Sequence, residues 1–396
     1  VSDKALEMAT TTGNSDVIAF LGSTDAGSVG VYENSLGVVA DPFDFADFAG
    51  YLELPNDDYY LKVTANGGTP SLLGYDAPLK TLGLADAAIT VVASGYLAPA
   101  AGQPAFGLFA VTAAGGEFLP LPTSMTRAQI IHNSPSAAAD SVDIYIDDAL
   151  ALDDVMYRTA TAFIDLKANA EFEVKIAPGS SSSSADAIWN MKYTLDPTKA
   201  HMLMAAGEVG GAGATAFDVF VTDMAREMAS TTGNTDVIAF HGSTDAGSVG
   251  VYENSLGVVA DPVAFSDFAG YVELPNDDYY LKVTANGGTP SLLGYDAPLK
   301  TLGLEDAAIT VVASGYLAPT GEQPAFGLFA VTAAGGEFLP LPTSMARVQV
   351  IHNSADKAAE MVDVYLNDAK LLPDFKFRTA SPFIDAPAGV DFDISI

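Results

Sequence analysis

The chain has 396 residues, 50 of them Asp or Glu and 17 Lys or Arg, so a formal charge of −33 is spread over a sequence that is 49% hydrophobic. So few cations leave no basic face for phosphate backbones or anionic lipid surfaces, and nucleic-acid binding is not expected. The apolar content is too high for an acidic disordered tail, and the length exceeds one ordinary domain.

Taken in chain order, seven short runs of strand-like composition stand between turn signals: residues 16–20, 28–32, 50–54, 59–65, 71–75, 88–93 and 105–112. The separators 54–58 (LPNDD) and 66–70 (NGGTP) supply the positive φ and the missing N–H groups that end strands. In residues 59–65 (YYLKVTA), Tyr59, Leu61, Val63 and Ala65 fall on one face and Lys62 and Thr64 on the other. That alternation predicts a half-buried strand. Helix is expected only as turns near 44–49 and 82–87. Residues 124–227 repeat the scheme, with the serine-rich 180–184 read as a flexible loop tip. Apolar stretches such as 87–93 and 105–114 fall well short of the roughly 20 residues a membrane-spanning helix needs.

Self-similarity dominates the sequence. Residues 11–20 (TTGNSDVIAF) return as 231–240 (TTGNTDVIAF), an offset of 220, and residues 50–124 differ from 270–344 at five positions: Leu52/Val272, Ala85/Glu305, Ala100/Thr320, Ala101/Gly321 and Gly102/Glu322. So long a period contains whole domains, unlike solenoid repeats of roughly 20–50 residues. Within it, residues 16–32 align with 127–145, so each unit reads as two related domains, A then B. The expected division is 1–13 as the tail of a preceding domain and linker, 14–123 as sandwich A1, 124–227 as sandwich B1, 228–343 as sandwich A2, and 344–396 as a truncated sandwich B2. Both ends fall inside domains by the same offset. The expectation is a window on a longer A-B-A-B array, any export signal lying outside it, or a last domain completed by another chain. About 100 residues, seven strands and frequent turns per domain predict an all-β fold of tandem antiparallel Ig-like β-sandwiches.

A family resemblance rests on the B-domain openings. Residues 127–135 (RAQIIHNSP) with 142–145 (VDIY), and 347–354 (RVQVIHNS) with 362–365 (VDVY), resemble domain of unknown function 4397, a family of bacterial exported domains. Domain A resembles it more loosely through 241–247 (HGSTDAG), 274–275 (LP) and 309–315 (ITVVASG). The resemblance implies Ig-like sandwiches in tandem on secreted or surface proteins, and it brings no catalytic residues with it.

Three groups of residues invite a functional reading. His132, His241 and His352 recur at the end of a first strand, each with a serine two positions on (Ser134, Ser243, Ser354), and Asp143 or Asp363 would complete a hydrolase triad. The first A domain has Leu21 there, and nothing resembles a nucleophile elbow. These histidines are therefore expected to anchor a strand-to-loop turn. Carboxylates cluster at Asp41, Asp44 and Asp47 and pair at Asp57–Asp58, Asp147–Asp148 and Asp153–Asp154, without a D-x-D-x-D-G calcium run. Tyr59, Tyr60 and Tyr75, with Tyr279, Tyr280 and Tyr295, offer faces for stacking on sugars. With no cysteine, thiol catalysis, thiolate metal sites and disulfides are excluded together.

No catalytic, cofactor-binding or metal-ligating residue is assigned, and an enzyme is not expected. The expected function is structural: an extracellular or cell-surface stalk, adhesin shaft or filament whose partners are copies of itself, through sheet edges or the proline-rich connectors 118–122 and 338–342 (both FLPLP). The alternative is a multivalent surface module for glycan or cell-envelope ligands.

Overall fold

The computed structural model describes residues 5–396, so residues 1–4 of the expected leading tail lie outside the described residues. A1 contributes β1 (Asn14–Leu21), β2 (Val29–Glu33), β3 (Gly37–Phe43), β4 (Leu52–Pro55) and β5 (Asp58–Ala65). It continues with β6 (Ser71–Pro78), β7 (Ala88–Ser94), β8 (Gly107–Thr112) and β9 (Leu119–Pro120). One sheet runs β4-β1-β7-β8-β9 and the other β3-β2-β5-β6. Leu21, Val29, Val63, Tyr75, Ile89 and Leu108 fill the space between them. Tyr59 and Val63 are buried as the alternation predicts, and Leu61 packs against the same core.

All seven expected strands form, and the fold is an all-β array of sandwiches. Two features differ from the expectation. The antiparallel scheme is broken by β1, which runs parallel to β7 from Asp16↔Ala88 to Leu21↔Ala93. The long excursion through the second sheet gives the chain room to return in the parallel sense, which a tight hairpin forbids. β3 was not expected because it carries no alternation, only an exposed stretch ending at Asp41-Pro42-Phe43. It is an edge strand with shifted register against β2, the position where a proline costs no ladder bond.

B1 repeats the plan with β10 (Met125–Asn133), β11 (Ser141–Ile146), β12 (Ala149–Met156), β13 (Thr159–Ala160) and β14 (Ile164–Lys167). Then follow β15 (Phe172–Pro178), β16 (Trp189–Tyr193), β17 (His201–Ala206) and β18 (Asp218–Thr222). Its own core holds Ile130, Ile144, Phe172, Ile176 and Leu203. The serine-rich segment forms a capped 3-10 turn, in which the Asp186 carboxylate accepts from the Ser182 amide at 2.9 Å.

A2 comprises β19 (Asn234–His241), β20 (Val249–Glu253), β21 (Gly257–Val263), β22 (Val272–Pro275) and β23 (Asp278–Ala285). It ends with β24 (Ser291–Pro298), β25 (Ala308–Ser314), β26 (Gly327–Thr332), β27 (Gly336–Glu337) and β28 (Leu339–Pro340). Its sheets reproduce those of A1, including the parallel β19–β25 pair. In B2 the strands are β29 (Met345–Val348), β30 (Ile351–His352), β31 (Met361–Leu366) and β32 (Ala369–Lys376). After them come β33 (Thr379–Ala380), β34 (Ile384–Pro387) and β35 (Ile394–Ser395).

Two kinds of joint alternate along the chain. Where A meets the following B, a loop of B lies on β6 or β24. The Ser124 amide donates to the Gly74 carbonyl at 3.0 Å and the Glu171 amide to Ser71 at 2.8 Å. In the second copy Ser344 donates to Gly294 at 2.9 Å, and the Tyr280 hydroxyl donates to the Ala388 carbonyl. A Cβ on Gly74 would lie 2.3 Å from the Ala168 carbonyl oxygen, so the approach requires glycine. Where B1 meets A2, the contact is face to face and apolar.

Candidate functional site at the B1–A2 junction

The recurring histidines are pins. His132 Nε2 lies 2.6 Å from the Ala139 carbonyl and its Nδ1 accepts from the Ser134 amide at 3.5 Å. His241 does the same with Gly247 at 2.6 Å and Ser243 at 3.4 Å, and His352 with Ala359 at 2.7 Å and Ser354 at 3.3 Å. The geometry selects the neutral ring with its proton on Nε2, and both nitrogens are engaged by backbone. Burial pushes the His132 and His241 pKa values down, against the opposing pull of the carbonyl each ring donates to. The serines point elsewhere: Ser134 Oγ donates to the Gly207 carbonyl at 2.6 Å and Ser243 Oγ to Asp245 at 3.1 Å. Asp143 accepts from Ser181 Oγ and from the Asp154 amide at 3.0 Å. The structure does not bring the three residue types into one constellation.

The carboxylates serve turns. Asp41 accepts from the Tyr32 hydroxyl and the Gly67 amide, and Asp58 from the Thr81 amide at 3.0 Å and hydroxyl at 2.6 Å. Asp148 pairs with Lys175 at 2.6 Å and accepts from Ser184 Oγ at 2.7 Å. Bonds from Thr81 hold Asp58, and bonds from Lys175 and Ser184 hold Asp148, below the usual carboxylate range. Among the described residues no group of three or more His, Asp or Glu is placed to hold a metal ion. The tyrosines go largely into cores: Tyr59, Tyr75 and Tyr295 are buried, and burial raises the phenols of Tyr75 and Tyr295 to about 12. Tyr280 is spent on the A2–B2 joint.

What the sequence reading missed is the junction itself. Ile131, Met202, Met204 and Ala206 of B1 pack against Ile238, Phe240, Val312, Val331 and Phe338 of A2, all buried in one continuous cluster. Phe220 crosses to Phe240 and to Phe265, the latter edge-on at 5.7 Å between centroids. The backbone joins too, because β13 pairs antiparallel with β27 (Thr159↔Glu337, Ala160↔Gly336) and carries the B1 sheet into A2. Gln129 Nε2 donates to Thr161 at 2.9 Å and to Thr332 at 2.8 Å, bridging the two domains. A signal was present: residues 88–93 and 308–313 (AITVVA) are apolar at every position but one, as expected of a strand covered on both faces.

Arg158 clamps the rim. Its guanidinium lies 4.1 Å from the Phe329 ring centroid and donates to Ser314 Oγ at 3.0 Å, the Ser314 carbonyl at 3.2 Å and the Ala325 carbonyl at 2.9 Å. Beside it, Tyr157 and Ser314 share a 2.8 Å bond, and Glu208 accepts from Tyr316 at 2.6 Å and Thr244 at 2.9 Å. Burial, with the Glu208 bond second, raises the Tyr316 pKa. Next to this rim lies a cleft of about 660 Å³ lined by Ser136, Asp140, Tyr157, Glu208, Thr320 and Gln323 among others.

An alternating chain of β-sandwiches, joined in turn by a hydrogen-bonded loop contact and by an apolar face with a shared sheet and a hydrogen-bonded rim, is the class of protein that the fold and junction define. Over residues 126–252 it matches the sequence model of the family described as Domain of unknown function (DUF4397), so the resemblance at the B1 opening holds. The match covers every B1 strand from within β10 and runs on through β19 and most of β20. No curated protein sequence matches the chain. Among solved structures, one titled "Alpha-glucan recognition by family 41 carbohydrate-binding modules from streptococcal virulence factors" aligns at 12% identity and TM-score 0.15, covering 50% of this chain and 94% of that one. The Bacillus anthracis TIE protein aligns at 10% and 0.17, over 77% of this chain and 51% of its own. A product complex of the multi-modular glycogen-degrading pneumococcal virulence factor SpuA aligns at 11% and 0.15, over 70% and 37%. Similarity this low carries no conclusion about this chain. No helix among the described residues is long and apolar enough to cross a membrane.

Proposed function

We propose that the chain is a structural protein of the cell surface or extracellular space, an array of β-sandwiches that builds a stalk, adhesin shaft or filament. The observation that carries this reading is the B1–A2 joint. Its buried apolar cluster and shared sheet make two successive domains one stiff unit rather than beads on a linker. Part of the shorter A–B joint recurs at the 220-residue offset: Ser124 with Gly74 and Ala168 with Ser124 return as Ser344 with Gly294 and Ala388 with Ser344. Small-angle scattering and electron microscopy of the full chain test it. A rod of constant cross-section with a regular axial bead is expected, and a distribution of bent, freely jointed shapes overturns it.

The binding alternative no longer rests on the tyrosines of the A cores. It is favoured by the junction cleft, because Thr320 and Glu322, two of the five differences between the A copies, line it. A glycan array probed with the full chain tests that reading. Retained glycans that are lost on Tyr157→Ala support it, and none retained counts against it.

A further inference from the structure

The B1–A2 joint brings together the same face of two related sandwiches. Their ladders fix the correspondence: β10 runs parallel to β17 with Ile131↔Met204, as β19 runs parallel to β25 with Phe240↔Val312. Phe220 then opposes Met204 as Phe329 opposes Val312. The turns match too, since the Arg158 amide donates to the His132 carbonyl at 2.9 Å and the Ser266 amide to the His241 carbonyl at 2.8 Å. Contacts across the joint come in exchanged pairs. Phe220 of B1 meets Phe265, the residue before Ser266 in A2, and Phe329 of A2 meets Arg158 of B1. Such exchange marks a two-fold relation, here between domains that are alike but not identical.

On the axis of such a joint each residue meets its own counterpart. Three pairs do so, and all three are unlike. Met202 and Thr310, which pair with Gln129 and Ile238 in their own sheets, meet with the threonine hydroxyl 3.1 Å from the sulfur. Glu208 and Tyr316, which bridge to Ala216 and Ala325, share a 2.6 Å bond. Asn133 and Gly242, each following its pinned histidine, also touch. These pairs match in one sense only. Glu208 accepts from the Tyr316 phenol, whereas a B–B contact would oppose two carboxylates and an A–A contact two phenols. Asn133 is fully buried, neither end of its amide meets a partner among the described residues, and a Cβ on Gly242 would overlap it. The Gly242 backbone lies outside the left-handed region, so its own conformation does not demand glycine. The same Cβ would stand 3.0 Å from the Phe240 ring and 3.1 Å from the Ala313 carbonyl, a tightness that Gly22 shows almost equally without an asparagine opposite. Two asparagines there would collide, and two glycines would leave a gap. The types hold along the chain: A1 carries Gly22, Thr90 and Tyr96, and B2 carries Asn353. We propose that the three axial pairs are the partner code of the array, admitting an A face onto a B face and rejecting A–A and B–B contacts. A buried polar group can cost stability and still fix which partner fits, and near-identical repeats are prone to dock on the wrong neighbour while folding. This rests on reading the chain as a docked array and adds to it how a domain selects its neighbour.

The test exchanges the pairs in the full chain and follows the urea transition of Trp189, the single tryptophan, which lies in B1. Gly242→Asn sets asparagine against Asn133 and is expected to lower the midpoint by roughly 0.5–1.5 M. Adding Asn133→Gly is expected to recover most of that loss, because the exchanged pair matches in the reverse sense. Tyr316→Glu, followed by Glu208→Tyr, is expected to behave alike and provides an independent pair should one variant fail to fold. Gly22→Asn and Tyr96→Glu make the same changes in A1 and are expected to leave the transition in place. If the double exchanges lose the sum of their singles, or the singles lose nothing, while Phe338→Ala still lowers the midpoint, the partner code is overturned and the array reading stands. A shift from Gly22→Asn equal to that from Gly242→Asn assigns the loss to the A fold and overturns the code as well. If Phe338→Ala and both exchanges all leave the midpoint unchanged, the docked joint itself is wrong.

Discussion

Phe118 and Phe338 offer a paired experiment within one molecule, because the same residue sits in the same local packing with and without a docked neighbour. Each ring lies 6.3 Å from the phenylalanine of the adjacent strand, Phe109 or Phe329. Exposure falls from 49% at Phe118 to 6% at Phe338, so docking covers about two-fifths of a side chain of roughly 200 Å². At about 25 cal/mol per Å² that is ~2 kcal/mol of stabilisation present only at the junction. The single tryptophan, Trp189, lies in B1 against Tyr193 and Phe217, so its fluorescence follows the unfolding of B1. Because docked A2 binds only folded B1, weakening the joint destabilises B1 by linkage. Phe338→Ala is therefore expected to lower the urea midpoint of the Trp189 transition by about 1 M, given a slope of roughly 2 kcal/mol per M. Phe118→Ala should leave that transition where it is. Equal shifts from the two variants, or no shift from Phe338→Ala, would refute the account of the joint.

The same fluorescence transition tests the rim. Arg158→Ala removes three hydrogen bonds and a cation–π contact and is expected to destabilise docking by about 2–4 kcal/mol, with Arg158→Lys recovering part because a point charge cannot reproduce the fork. Burial depresses the pKa of His132 and His241 below the unfolded value, so the stability tied to their neutral rings is complete above about pH 6.5 and is lost as pH falls below it. Each contributes a loss of up to ~1.4 kcal/mol per pH unit below that point, measured as midpoint against pH. His241→Leu, the residue that A1 carries at Leu21, is expected to fold and to flatten part of that slope. Tyr59→Ala should destabilise A1 by about 3–5 kcal/mol, as for a buried aromatic, seen as an early transition in circular dichroism; a ligand-specific loss without destabilisation would contradict its place in the core.

Much of the fold was legible because its signals are local. Alternation in residues 59–65 and turn residues at 66–70 act within a few positions, and β5 and its following turn lie where they predict. β3 escaped because an edge strand buries little, so no alternation is imposed on residues 37–43. The parallel pairing of β1 with β7 is a property of chain return across the sandwich, which no window of neighbouring residues encodes. The histidines are legible as turn anchors because A1 carries Leu21 at the same place, and in the structure His132, His241 and His352 hold the carbonyls of Ala139, Gly247 and Ala359. The junction was harder to see, since its two halves, such as Gln129 and Thr332, stand 203 positions apart in the sequence.

The distribution of arginine argues for the junction as the element the sequence is organised around. Among 17 basic residues only five are arginine, at 127, 158, 226, 347 and 378, and none lies between residues 14 and 123 or between 228 and 343. Three of the five serve the B1–A2 connection. Arg127 forks onto Glu227 in the connecting segment at 2.8 and 2.9 Å, Arg158 reaches into A2, and Arg226 pairs with the buried Asp236 of β19 at 2.5 Å. Burial of Asp236 works against its charge, and bonds from the Ser230 amide and Arg226 outweigh it, so its pKa is lowered. Planar, always-charged forks are placed where two domains must be held at one angle, while lysines neutralise exposed loops such as Asp57 with Lys80. Arg378 holds the position of Arg158 in B2 and there rests on its own neighbour Phe377, 4.9 Å from the ring centroid.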